Sequence, residues 1–85
     1  MTPYSVTWEP DAEDALAEAY LTSDDREAVV AASAEADAQL AEDPYLLATR
    51  LSEGLLKVHI RPLVVFFSVD ESTSVVTVSG VGLIP

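Results

Sequence analysis

No cysteine occurs in the 85 residues, which excludes disulfide frameworks, thiol redox chemistry, cysteine nucleophiles and thiolate-rich zinc sites. The single histidine, His59, excludes a centre built from several imidazoles. Three glycines form neither a Gly-rich phosphate loop nor a nucleophile elbow. No fully apolar run exceeds the five residues of Leu63 to Phe67, far below the roughly 20 that span a bilayer. The opening residues carry neither the basic flank nor the apolar stretch of a signal peptide. The expectation is a soluble, cytoplasmic protein without membrane segment, cofactor or metal. Basic residues are scarce as well: four against fifteen acids, a net charge of -11. A DNA or RNA binder must neutralise dense phosphate charge with Lys and Arg, so direct nucleic-acid binding is not expected at physiological salt.

What is present is apolar material, 49% of the residues, enough for a packed core despite the charge. Splitting 85 residues would leave each half too small to sustain its own core, so residues 1–85 read as one domain. The charge is uneven along it. Residues 1–43 hold twelve acids against Arg26 alone, whereas residues 44–85 balance Glu53, Asp70 and Glu71 with Arg50, Lys57 and Arg61. An acidic helical face is most simply a solvated one, and it also suits a basic protein partner.

Tyr4, Val6 and Trp8 alternate with polar residues, the period of a strand with one face buried. Pro10 suits a first helical turn, and Asp11, Glu13 and Asp14 complement the positive end of a helix dipole. Ala12, Ala15, Leu16, Ala19 and Tyr20 then form one helical stripe. Capping residues Thr22 to Asp25 interrupt it, after which Val29, Ala32, Ala36 and Leu40 recur until Pro44. Two helices are predicted, at about residues 10–21 and 24–42, joined as a hairpin. From Gly54 the period becomes two: Leu56, Val58 and Ile60, the run Leu63 to Val69, and Val75 to Val81, with turns at Arg61-Pro62 and Asp70 to Ser74. The predicted order is β-α-α-β-β-β, an α+β fold in which the hairpin packs on a four-stranded antiparallel sheet. Trp8, Tyr4, Phe66 and Phe67 read as core or sheet-face aromatics. Lys57, His59 and Arg61 fall on one side of a strand by the same rule, gathering a cation, an imidazole and a bidentate anion binder as the candidate catalytic residues. The same spacing fits an ordinary exposed polar sheet face.

That element order, with Asp43-Pro44, Arg50-Leu51 and the stretch from Lys57 to Asp70, resembles the RelE/ParE family of small bacterial toxins from toxin-antitoxin pairs. Tyr4 to Glu13 is similar to the family's first strand and its entry into the first helix. The resemblance implies a RelE/ParE-like fold and a protein partner, an antitoxin or a second copy of the chain as a homodimer. In the messenger-RNA-cleaving branch, activity rests on basic residues along the second strand, an arginine and a tyrosine on the third, and a basic or aromatic C-terminal segment. Lys57 and His59 match the basic positions. The arginine position falls on Val64, the aromatic one on Phe67, which lacks a hydroxyl, and Leu83-Ile84-Pro85 supplies no basic tail. Cleavage without a metal needs groups that activate the 2'-hydroxyl and stabilise a pentavalent phosphate. The expectation is therefore a toxin-like protein with a degraded ribonuclease site that acts through protein binding. The alternatives are an active ribosome-dependent mRNA endonuclease using Lys57, His59 and Arg61, and an acidic interaction module of no toxin descent.

Overall fold

The computed structural model describes residues 3–84. The chain runs β1 (Ser5–Trp8), α1 (Pro10–Thr22), α2 (Arg26–Glu42), β2 (Thr49–Ser52), β3 (Leu55–Ile60), β4 (Leu63–Asp70) and β5 (Val75–Leu83). Pro10 occupies the first turn of α1, and Asp25 caps α2 by accepting a 3.1 Å hydrogen bond from the Ala28 N–H. α1 thus starts where the sequence places it, and α2 starts two residues later than expected, after its Asp25 cap.

The sheet corrects the expected four antiparallel strands. It has five, in the order β1-β5-β4-β3-β2, and β1 lies parallel to β5. A parallel pair needs a long crossover, which the two helices and the β2-to-β5 meander supply. The added strand, β2, is exposed along its whole length and sits at the edge. It turns into β3 through Glu53–Gly54, with Gly54 at φ 80°, and Leu51 bulges where the register slips. A glycine meets that positive φ without the steric penalty of a side chain.

One face of the sheet is the core face. Val58 and Ile60 of β3, Leu63, Val65 and Phe67 of β4, and Val76 and Val78 of β5 are buried against Ala12 and Ala19 of α1 and Val29, Ala32, Ala36 and Leu40 of α2. Most of the buried helical positions are alanine, which lets the helices lie close to the strands. The β4–β5 turn is closed by Asp70, whose carboxylate accepts from the Ser72 hydroxyl at 2.6 Å and from its N–H at 3.0 Å. Those bonds favour the ionised form and lower the Asp70 pKa, the Ser72 hydroxyl contributing most.

Candidate functional site

Among the described residues no helix covers the opposite face of the sheet, and Lys57 and His59 lie there. Lys57 stands half-buried between Thr49 of β2 and Phe66 of β4, and His59, exposed, stands opposite Val64. Because side chains on one strand face repeat every second residue, Lys57 and His59 are about 7 Å apart. β3 ends at Ile60, however, so Arg61 lies in the turn before Pro62, where strand periodicity no longer sets its direction. The structure brings Lys57 and His59 together on one face; Arg61 sits beyond the end of their strand.

The neighbours of this pair are apolar or small. Phe67, the aromatic position of the resemblance, is fully buried on the core side, and its neighbour Phe66 takes the place opposite Lys57. Across β4, Gly80 and Gly82 pair with Phe66 and Val64, and a Cβ on either glycine would meet those side chains at 3.5 and 3.4 Å. This part of the face therefore offers one ammonium, one imidazole and an apolar floor. Phosphoryl chemistry calls for groups aimed at developing charge, and Val64 supplies none at the position facing His59. Among the described residues no group of three or more His, Cys, Asp or Glu could hold a metal ion, and no helix is long and apolar enough to cross a membrane.

Two other arrangements escaped the sequence reading. At one end of the molecule the Glu71 carboxylate accepts from the Tyr4 hydroxyl, at 2.8 and 3.0 Å, and from the Tyr45 hydroxyl. Ionising either phenol beside that carboxylate is unfavourable, so the Tyr4 pKa rises and that of Tyr45 is pushed up to about 12. The contact ties the start of β1 and the α2–β2 loop to the β4–β5 turn. On the helical side, the Trp8 indole N–H donates to Asp37 Oδ1 at 2.8 Å, fixing β1 to α2. Both arrangements join residues far apart in sequence, and no local spacing signals them.

No family model matches the sequence, and no curated protein matches it. Solved structures do match the fold. The chain has a RelE/ParE-like toxin fold. A chain of the toxin-antitoxin complex RelBE2 from Mycobacterium tuberculosis superposes with a TM-score of 0.81 at 17% identity, over 98% of this chain and 93% of that one. A chain of the chromosomal ParDE toxin-antitoxin system from P. aeruginosa superposes with a TM-score of 0.67 at 18% identity, over 96% of this chain and 97% of that one.

Proposed function

We propose that this chain is a toxin-like protein of a toxin-antitoxin type system that acts by binding a protein partner, its ribonuclease site degraded. The observation that carries the reading is the open sheet face: Lys57 and His59 stand across from Phe66 and Val64, which offer neither a phosphate-stabilising guanidinium nor a proton-donating hydroxyl. The acidic half supports it, since long-range repulsion slows approach to an RNA surface. The structures sharing its fold come from toxin-antitoxin pairs, which favours an antitoxin-type partner. Direct nucleic-acid binding is absent on this reading, and the protein resides in the cytoplasm.

The pairing of Lys57 with His59 on one face favours a second reading, an active mRNA endonuclease. Expression of the chain alone separates the two. Growth and translation unaffected by induction support the binding reading, as does a small adjoining reading frame whose product co-purifies with the chain. Growth arrest that disappears in Lys57→Ala or His59→Ala overturns it in favour of the enzyme. Arrest persisting in both variants refutes the harmless-alone expectation and assigns toxicity to another surface.

A further inference from the structure

A groove of about 610 Å³ lies away from the basic strand, between α1 and α2 and beside Trp8 of β1. Leu16 and Tyr20 of α1 and Val30 of α2 line it together with Trp8 of β1, and Glu13 and Asp37 stand along it. Tyr20 is 39% exposed and Val30 54%, so an aromatic and a branched side chain are held toward water beside carboxylates. The Trp8–Asp37 hydrogen bond fixes the indole at the groove wall. Arg26, the one cation of the first 43 residues, lies over the Tyr20 ring at 5.4 Å.

We propose that this groove seats a basic amphipathic helix of a partner protein. Two antiparallel helices with an apolar trough between them offer the shape that a third helix fills with anchors at i, i+3, i+4 and i+7. Charge selects among helices. Twelve acids against one base on this half of the chain attract a cationic occupant and repel an anionic one. A second copy is a poor occupant by the same measure: the only helices among the described residues are α1 and α2, which bring the same acids with them. The inference rests on the protein-binding reading above and adds the site and the chemistry of the partner.

Trp8 is the only tryptophan and lines the groove, so its fluorescence reports on filling. The full-length chain is titrated with three synthetic peptides: a helix with leucines at the four anchor spacings and Lys or Arg elsewhere, its twin with Glu in place of each cation, and the basic peptide in scrambled order. The basic amphipathic helix is expected to give a saturable change in Trp8 emission. Its affinity is expected to fall about tenfold in Val30→Ser, which removes one apolar anchor, and about tenfold in Glu13→Lys, which reverses one rim charge. Both positions are exposed, and circular dichroism confirms that each variant is folded. Equal binding of the acidic twin or the scrambled peptide overturns the proposal, as do unchanged affinities in both variants. A Trp8 change that accompanies self-association of the chain alone also overturns it, because a second copy then fills the groove. The titration involves neither growth nor translation: its failure retires the groove and leaves the growth result standing, and growth arrest with intact peptide binding does the reverse.

Discussion

Val64 and Val65 are adjacent on β4 and face opposite sides of the sheet, so truncating each in turn measures how differently the two faces are covered. Val65 is fully buried in the core. Val65→Ala removes two methyl-sized groups, about 1.6 kcal/mol of transfer free energy at about 0.8 each. The void left behind, roughly 40 Å³ at about 24 cal/mol per Å³, adds about 1 kcal/mol. The expected cost is about 2.5 kcal/mol. Val64 is half-buried on the open face, over Gly82. Val64→Ala loses about half the transfer term, and water enters the gap, so about 0.8 kcal/mol is expected. A urea m-value of about 1 kcal/mol/M for a small domain converts these to midpoint shifts of about 2.5 M and about 0.8 M. Urea unfolding followed by Trp8 fluorescence and far-ultraviolet circular dichroism reads both, with coincident transitions as the check on two-state behaviour. Equal shifts in a monomeric sample would refute the reasoning, because the supposedly open face would then be packed as tightly as the core.

Asp25→Ala removes the cap on the Ala28 N–H and is expected to cost about 1 kcal/mol, seen as a melting temperature roughly 4–8 °C lower; an unchanged melt would show that the cap contributes nothing. The Tyr45 pKa of about 12 stands above the ordinary 10.0, so the stabilisation it brings is complete below pH 10 and drains away as pH rises to 12. Glu71→Gln is expected to bring Tyr45 ionisation back toward 10 and flatten that decline, as read by phenolate absorbance and by melts across the window; an unmoved titration would dissociate Tyr45 from Glu71. Gly54→Ala meets nothing within 4 Å but must adopt φ 80°, and a loss of about 1 kcal/mol in thermal or urea unfolding is expected. No loss would mean that the turn relaxes to a negative φ.

The elements most legible in the sequence are those whose period reports a buried stripe. Val29, Ala32, Ala36 and Leu40, taken from their spacing as the inner face of α2, are all buried. β2 was missed for the converse reason: Thr49 to Ser52 are exposed throughout, so no alternation of apolar and polar residues marks them, and only the turn at Gly54 hints at a strand before it. The parallel β1–β5 pair was equally hidden, since period two gives a strand's faces and says nothing of its neighbour. On the candidate site, the alternation placed Lys57 and His59 correctly on one strand, yet the unbroken apolar run Leu63 to Phe67 concealed which residues look toward the helices. The two arrangements that join distant residues, Tyr4 and Tyr45 on Glu71 and Trp8 on Asp37, depend on the assembled fold.

The strand order also sets a sequence of events during synthesis. Of the described strands β1 leaves the ribosome before the others and its sheet neighbour β5 after them, and at about 5–20 residues per second the wait is several seconds. Until then Val6 and Trp8 have no ladder to join, while β2 to β5 close through short, local turns. Contacts between near neighbours close first and those spanning nearly the whole described length close last. Closure of this sheet therefore finishes at the strand made before all its other strands, and a chain interrupted before Val75 leaves β1 stranded however well its helices form.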